Sequence, residues 1–308
     1  MQTSRALEVL PFFPPRLRSR LEGLMLQGIE MEEIRLRANA PLTVGIWGES
    51  CFVTDSGGLT NHESNACSVT EKEVQAAFLG ICENSVYAHL EEIRQGFLTL
   101  KGGHRVGICG KAVMENGKIK TFREVSSLNF RIAHQVFGAA DRVIERIVRG
   151  SEVKSSLIVS LPQTGKTTLL RDITRQISNR GFKVGVADDR GELGAMYDGV
   201  LQNDLGAQTD LIDNAPKAEA ISLLLRTMSP RVLVSDEIAS VEDVNAIRIA
   251  HGTGVAILAT THGRDIFEVK QRQLLKPLFR DGVFEQAILL HRDFSSPDAR
   301  ADTEVIAL

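Results

Sequence analysis

The sequence predicts an α/β fold in which a mainly parallel sheet fills the second half of the chain, preceded by a smaller α+β domain. After residue 150, short apolar runs alternate with helical stretches, which is typical of strands buried on both faces of a parallel sheet. Before residue 135, β-branched residues spaced by glycines indicate antiparallel hairpins. The length of 308 residues suits two domains, which we place at residues 1–140 and 141–308.

Composition excludes several classes of protein. Hydrophobic residues make up 43% and charged residues 24% of the chain, so it is neither disordered nor fibrous. Lys and Arg total 36 against 39 Asp and Glu, and the net charge of −3 gives no sign of a nucleic-acid coat. No apolar stretch approaches the roughly 18 residues of a membrane span, and prolines interrupt the apolar start. We expect a cytoplasmic protein, peripheral at a membrane through partners.

The cysteines lie in the first third of the chain and contain no C-x-x-C pair. A disulfide framework or a structural zinc site needs closer pairing or nearby histidines. We therefore expect buried free thiols at Cys51, Cys67, Cys82 and Cys109.

In the first domain the elements follow from hydrophobic periodicity and turn residues. Pro14 and Pro15 signal a helix start, and Gly102–Gly103 signals a turn between strands. The predicted elements are helices over 15–30 and 71–86, short strands around 34–36 and 42–46, and hairpins over 97–131.

In the second domain, apolar runs predict the strands and polar turns predict their ends. A helix followed by a polar turn within residues 137–154 marks the domain boundary. The predicted strands cover residues 155–160, 183–189, 231–237 and 254–262, with 285–291 at the edge of the sheet.

The first of these strands leads into a phosphate-binding motif. It ends at Ser160, a loop follows, and Gly165, Lys166 and Thr167 open a helix, whose unpaired N–H groups and positive dipole end suit a phosphate chain. We expect Lys166 to reach the β and γ phosphates of ATP and Thr167 to complete a Mg²⁺ shell. The alternative is a chance match at a helix start. The predicted nucleotide-binding residues of this loop are Ser160, Leu161, Pro162, Gln163, Thr164, Gly165, Lys166, Thr167 and Thr168.

Two carboxylates end the strand at 231–237. Carboxylates at the end of a buried strand are costly unless a cation or hydrogen bonds compensate them. We expect Asp236 to hold Mg²⁺ through water, and Glu237 to orient or deprotonate the attacking water. An N-cap pair at the start of the next helix is the alternative.

Polar residues also end two other strands of the parallel sheet. Asp188 and Glu192 flank an arginine-containing turn, and His262 closes the strand at 254–262. Open parallel sheets bind ligands at the carboxyl ends of their strands, so we assign all three to catalysis. A solvated turn and a structural histidine are the alternatives.

Arginines are candidates for contacts with phosphate. Arg226 precedes the strand at 231–237 and is assigned to catalysis. Arg105, Arg123 and Arg131 of the first domain are candidates for nucleotide contacts across a subunit boundary. An ordinary surface role remains open for each.

Together these segments are recognisable. The motifs EIRLRANAPL, GGHRVGI, SSLNFRIA, GKTTLLRD, RTMSP, VSDEIASVED and ATTHG resemble the stage III sporulation protein AA family over nearly the whole chain. That family is related to the ATPases of type II and type IV secretion and of pilus retraction. In this resemblance residues 188–192 match an acidic box, Asp236–Glu237 the Walker B element and His262 a histidine box.

The resemblance implies a RecA-like P-loop ATPase core behind the α+β domain. It implies ATP and Mg²⁺ as cofactors and a homo-oligomer in the form of a hexameric ring. It further implies membrane-embedded sporulation channel proteins as partners, in a complex between mother cell and forespore.

Some positions depart from the family pattern. Leu161, Gln163 and Thr164 differ within the loop, and Gln163 replaces a glycine that permits unusual backbone angles. Asp189 shortens the second carboxylate of the acidic box, and Gln208 and Ala239 also differ. Lys166 and Asp236 are in place, so slow hydrolysis or loosened affinity is open, whereas a dead site is not indicated.

We therefore predict a Mg-dependent ATPase of the secretion-motor type. One alternative is an ATP-dependent assembly scaffold with little hydrolysis, which the unusual loop favours. Another is a nucleic-acid-stimulated RecA-like ATPase. The near-neutral charge and the lack of a basic, aromatic-rich segment argue against it, so no nucleic-acid partner is expected.

Overall fold

The computed structural model describes residues 5–46, 48–115, 117–162, 164–291 and 302–308. The chain divides into two compact units, Met1–His134 and Gln135–Leu308. The sequence placed the boundary after residue 140, but Ala140 packs into the core of the second unit and its N–H donates to Asp172 Oδ2 at 2.8 Å. Gln135 also belongs there, since its side chain donates to the carbonyl of Asp204 at 2.7 Å.

The first unit is built on a seven-stranded antiparallel sheet in the order β5-β4-β3-β1-β9-β8-β7. Its α-helices are α1 (Pro15–Leu26), α2 (Glu71–Ile81) and α3 (Leu90–Gln95). Its strands are β1 (Glu33–Arg37), β2 (Ala40–Pro41), β3 (Thr43–Ile46), β4 (Glu49–Val53), β5 (Leu59–Thr60), β6 (Ser68–Val69), β7 (Phe97–Thr99), β8 (Arg105–Glu115) and β9 (Lys118–Arg131). Short 3-10 helices cover Arg5–Phe12, Glu63–Asn65 and Val86–His89.

Alternating side chains and helix caps explain these elements. In β1, Ile34 and Leu36 point into the core, while Glu33, Arg35 and Arg37 face the other way. Helix α2 begins with a capping box of Thr70 and Glu73. It ends at Ile81, short of the predicted 86, because Glu83 and Asn84 take positive φ angles of 50° and 61°.

The second unit is built on a seven-stranded sheet in the order β14-β13-β15-β16-β12-β17-β18. Every pair in it is parallel except β17 with β18. The α-helices of this unit are α4 (Ile144–Ile147), α5 (Lys166–Asn179), α6 (Lys217–Thr227), α7 (Val241–Gly252), α8 (Ile266–Gln271) and α9 (Lys276–Arg280). Its strands are β10 (Val148–Arg149), β11 (Glu152–Val153), β12 (Ser156–Ser160), β13 (Val184–Asp188), β14 (Thr209–Asp213), β15 (Val232–Glu237), β16 (Ala256–His262), β17 (Gln286–His291) and β18 (Asp302–Ala307).

The predicted fold class is confirmed. Strands β12, β13 and β15 are buried along almost their whole length, and apolar clusters lie on both sides of the sheet. Because these strands run in parallel, their carboxyl ends meet at one edge of the sheet, together with the end of β16. Helix α5 leaves β12 at the same edge.

The second unit differs from the sequence prediction in three details. Strand β17 is not at the edge, because β18 pairs with it along its whole length. Strand β14 was not predicted and forms the opposite edge. The stretch 137–154 contains only the short helix α4, followed by the hairpin of β10 and β11.

The cysteines are free, as predicted, but they are not all buried. Cys67 and Cys82 lie in the core, whereas Cys51 is half-buried and Cys109 is exposed on β8. Burial raises the pKa of the Cys82 thiol to about 11. Among the described residues, no helix is both long and apolar enough to cross a membrane.

Candidate phosphate-binding site

The turn from β12 into α5 exposes the start of a helix. Gly165 has a φ angle of 102°, a conformation that residues with a side chain rarely adopt, and α5 begins at the next residue. The first helical hydrogen bond runs from Leu169 N–H to the Gly165 carbonyl at 2.9 Å. The N–H groups of the first turn therefore have no carbonyl partner within the helix, which is the usual setting of a phosphate site.

Side-chain hydroxyls stabilise the loop before this turn. The hydroxyls of Ser160 and Thr164 are buried and hydrogen-bond each other. They also lie 2.9 and 2.7 Å from the Leu161 carbonyl oxygen. Leu161 and Pro162 are exposed, whereas Gln163 lies outside the described residues. Thr164, one of the departures from the family pattern, thus contributes internal bonds to the loop.

A chain of contacts links Lys166, His262 and Glu237. Lys166 Nζ lies 2.6 Å from His262 Nδ1, and His262 Nε2 lies 3.2 Å from Glu237 Oε2. Lysine only donates and a carboxylate only accepts, so a neutral His262 accepts at Nδ1 and donates from Nε2. Burial lowers the pKa of Lys166, while Glu237 and Glu192 act in the opposite direction.

Asp236 lies beside a lysine that the sequence analysis missed. Lys217, the first residue of α6, is 4% exposed, and its Nζ lies 2.7 Å from Asp236 Oδ1 and 3.5 Å from Asp189 Oδ2. At 2.7 Å the ammonium is in direct ionic contact with the buried Asp236 carboxylate. Lys217 also donates to the Glu237 carbonyl at 2.5 Å.

Lys217 and Asp236 each oppose the effect of burial on the pKa of the other. Burial by itself lowers the pKa of Lys217, but Asp236 and then Asp189 more than offset burial and leave that pKa raised. Burial raises the pKa of Asp236, and Lys217 opposes that rise. A register shift in β15 between Ser235 and Glu237 falls at Asp236, and bulges of this kind re-aim side chains near functional sites.

Asp188 is buried and hydrogen-bonds the acidic loop that follows β13, residues 189–194. Its carboxylate is 1% exposed and accepts three backbone N–H groups, from Glu192 at 2.9 Å, Leu193 at 3.0 Å and Gly194 at 2.8 Å. Burial is the main cause that raises the pKa of Asp188 to about 6. Both carboxylate oxygens thus have backbone partners within the loop that follows β13.

Glu192 lies closer to the phosphate loop. Its Oε2 is 3.5 Å from Thr167 Oγ1, and Arg171 of α5 donates to its backbone carbonyl at 2.7 Å. The structure thus brings Lys166, Thr167, Glu192, Asp236, Glu237 and His262 to one sheet edge. Thr168 follows in the first turn of α5.

Of the predicted arginines, one ends α6 and three belong to the sheet of the first unit. Arg226 is in the last turn of α6, exposed, and its Nε donates to the Ser222 carbonyl at 3.3 Å. Arg105 and Arg131 face each other on β8 and β9 of the first unit, and Arg123 is farther along β9 opposite Lys111. The guanidinium of Arg105 also stacks over the Phe97 ring at 4.7 Å.

The oxygen atoms at this edge fit a Mg²⁺ ion bound with a nucleotide. Mg²⁺ prefers hard oxygen ligands and takes one or two carboxylates in nucleotide sites, with phosphates and water as the rest. The Asp236 carboxylate is buried with the Lys217 ammonium as its cationic partner, and the Thr167 hydroxyl lies in the first turn of α5. Among the described residues, no group of three or more His, Cys, Asp or Glu could hold a metal ion.

Comparison with known proteins agrees with this architecture. A sequence model of the family "Sporulation stage III, protein AA" matches residues 4–300. Stage III sporulation protein AA of Bacillus subtilis (strain 168) is 32% identical over 292 residues, which cover 92% of this chain and 91% of that protein.

Solved structures with the same fold include an ATPase and a pilus retraction motor. The Legionella pneumophila ATPase DotB has a TM-score of 0.62 at 16% identity, over 96% of this chain and 82% of that one. The pilus retraction motor PilT with bound ADP has a TM-score of 0.61 at 15% identity, over 92% and 82%. The core is thus RecA-like, and the chain belongs to the stage III sporulation protein AA family.

Proposed function

We propose that the chain binds Mg-ATP at the loop of residues 160–168 and hydrolyses it, as the motor of a channel complex needed for endospore formation. The observation that carries this proposal is the meeting of Lys166, Glu237 and Asp236 at the sheet edge where α5 begins. A phosphate loop and an acidic strand end at the same edge are what triphosphate hydrolysis requires.

Each side chain has a role that its position supports. The N–H groups at the start of α5 and Lys166 would bind the phosphates, and Thr167 and Asp236 would hold Mg²⁺. When bound, the ion would neutralise charge on the phosphate oxygens. Glu237 would orient the attacking water and accept its proton, and the Nε2–H of His262 would keep that carboxylate in place.

In the acidic box, Asp188 and Glu192 would have different roles. Asp188 would fix the loop through its backbone hydrogen bonds, and Glu192 would act beside Thr167. Asp188 is therefore proposed as a positioning residue, a change from the sequence prediction that follows from its engaged oxygens.

Assembly completes the proposal. We expect a homo-oligomer, a hexameric ring, in which an arginine from the first unit of a neighbouring copy reports the γ-phosphate. Arg105, Arg123 and Arg131 are the candidates, with Arg226 as a further one. The partners would be membrane-embedded sporulation channel proteins, reached from the cytoplasmic face.

Glu237→Gln tests the chemistry, with Glu242→Gln as control, since Glu242 is an exposed carboxylate in the first turn of α7. ATP binding and phosphate release are measured with purified protein and Mg²⁺. We expect E237Q to bind ATP as the unaltered protein does and to lose turnover by about 100-fold or more, with E242Q unchanged.

Undiminished turnover in E237Q would reject Glu237 as the base. ATP binding without phosphate release by the unaltered protein, even with membranes or partners, would favour the assembly scaffold. Salt-sensitive DNA binding that stimulates release would favour a nucleic-acid ATPase.

A further inference from the structure

Lys217 is a buried cation that contacts residues of the candidate nucleotide site. Its ammonium meets the carboxylates of Asp236 and Asp189 and the carbonyl oxygen of Glu237. Its side chain is 2% exposed, whereas that of Asp189 is 35% exposed. The lysine therefore reaches the acidic edge from inside the protein rather than from solvent.

The position of Lys217 is otherwise unfavourable for a lysine. It is the first residue of α6, where the helix dipole disfavours a cation. Burial of an ammonium group is costly unless charges and hydrogen bonds compensate it. The compensating contacts come from Asp236 and Glu237 of β15 and from Asp189. The interactions that stabilise the buried ammonium therefore come from outside α6.

We propose that Lys217 is a positioning residue of the nucleotide site: its ammonium supplies the positive charge beside Asp236 while no divalent cation is bound, and Mg²⁺ competes with it for that carboxylate. This inference rests on the proposed function, because it takes Asp236 as the Mg²⁺ ligand. The same ammonium links Asp189 and β15 to the first residue of α6. Release of Asp236 would therefore remove one of the contacts that hold the start of that helix.

Competition between Lys217 and Mg²⁺ predicts that the unaltered chain and a Lys217 variant respond differently to Mg²⁺ in the absence of nucleotide. In the unaltered chain the ammonium already neutralises Asp236, so millimolar Mg²⁺ without nucleotide should change the unfolding temperature little. Lys217→Met leaves a buried carboxylate unpaired, which should lower the unfolding temperature by roughly 6–12 °C. Mg²⁺ should then restore a clear part of that loss, because it can replace the missing charge.

The experiment is a thermal-unfolding series of the full chain with and without Mg²⁺, followed by the Mg²⁺ dependence of ATP binding. Lys217→Gln is the second variant, since its amide can keep the hydrogen bond to the Glu237 carbonyl, and it serves if K217M does not fold. Lys276→Met is the matched control, because Lys276 is also the first residue of a helix but is exposed. The double variant K217M/D236N should lose the response to Mg²⁺.

For ATP binding, removal of the competing charge should lower the Mg²⁺ concentration at half-saturation by at least about fivefold in K217Q. Equal Mg²⁺ responses in the unaltered, K217M and K217Q proteins would overturn the inference, even if ATP binds and is hydrolysed. A response to Mg²⁺ that persists in K217M/D236N would also overturn it. If instead the Mg²⁺ response follows Asp236 but no ATP binds, the proposed function fails while the competition stands.

Discussion

His262 connects two residues that the sequence analysis assigned to different steps. Lys166 was expected on the phosphates and Glu237 on the attacking water, yet both contact the same imidazole, at 2.6 and 3.2 Å. The sequence could place His262 at a strand end, because β16 is a clear apolar run. It could not show that one ring reaches both partners, since that depends on the register of β12 with β16, where Ser160 lies opposite His262.

His262→Ala tests this connection. We expect ATP binding to be nearly unchanged and turnover to fall by about 10- to 100-fold, because Glu237 loses the donor that orients it. His251→Ala, at the half-buried histidine in the last turn of α7, is the control and should behave like the unaltered protein. A full rate in H262A would contradict the role given to the ring.

Asp188 and Lys217 show what sequence patterns miss at this scale. The pattern marks Asp188 as an acidic residue at a strand end, but its role depends on residues 192–194 curling back to donate to it. Burial of a lysine has no signature in a single sequence. The available signal was a lysine at a helix start, where the helix dipole makes a cation unfavourable.

Asp188 also predicts a dependence of stability on pH. Its folded pKa of about 6 lies above the ordinary 3.8, so the folded state retains a proton that the unfolded state releases. This contribution to stability is present below pH 4 and is lost as pH rises to about 6, by at most about 3 kcal/mol. We expect the free energy of unfolding of the unaltered chain to fall relative to Asp188→Asn across that window. Urea unfolding at several pH values measures the difference, and parallel pH curves would contradict it.

At the level of elements, the buried strands were the most predictable part. Strands β12, β13, β15 and β16 are short, largely apolar runs bounded by polar residues, and these runs alone predicted the strands. Strand β14 was missed because its sequence, TDLID, mixes acidic and apolar residues as a loop does. Its hydrogen bonding with β13, which makes it a strand, is not visible in that sequence. The same applies to β18, whose antiparallel pairing with β17 is not visible in its own pattern.

Helix α2 offers a test at this scale. Glu73 closes its capping box and also accepts two hydrogen bonds from Arg16, each at 2.8 Å. The bond to Arg16 is the main cause that lowers the pKa of Glu73 to about 2. The stabilisation is therefore full above pH 4.5 and is lost as pH falls toward 2.

We expect Glu73→Gln to cost about 1–2 kcal/mol at pH 7, with the difference shrinking toward pH 2. Hydrogen exchange of the α2 amides measures it. Glu71→Gln, in the same first turn but exposed, is the control and should cost less. An equal cost at pH 7 and pH 2 would contradict the ionic contribution.

At the level of the whole molecule, the sequence predicted two units and a family but not how copies cooperate. The outward face of the first unit's sheet carries Arg35 on β1 beside Asn129 on β9, and Arg105 and Arg131 face each other next to them. Glu33 on β1 shares this face, where its carboxylate accepts a hydrogen bond from Arg35 at 2.7 Å and lies opposite Arg131. Among these residues three arginines stand against one carboxylate, and arginines suit phosphate or acidic groups supplied by another molecule. An arginine of one copy can act at the site of another only within an assembled oligomer.

Mixing two inactive variants tests the trans arrangement. If Lys166→Ala and the double variant R105A/R131A each lack turnover, a mixture of the two should regain it. Random mixing gives about a quarter of sites an intact lysine and an intact neighbour. Mass measurement with and without nucleotide shows whether mixed oligomers form. Mixed oligomers without recovered turnover would contradict an arginine donated by a neighbouring copy.

The central claim is that a Mg-bound triphosphate binds between the turn before Lys166 and Asp236. Equilibrium binding of Mg-ATP to the unaltered chain, Lys166→Ala and the exposed-lysine control Lys276→Ala tests it most directly. The account predicts saturable binding by the unaltered chain and by K276A, and a loss of at least about 100-fold in affinity for K166A. Equal affinity for all three proteins would contradict it.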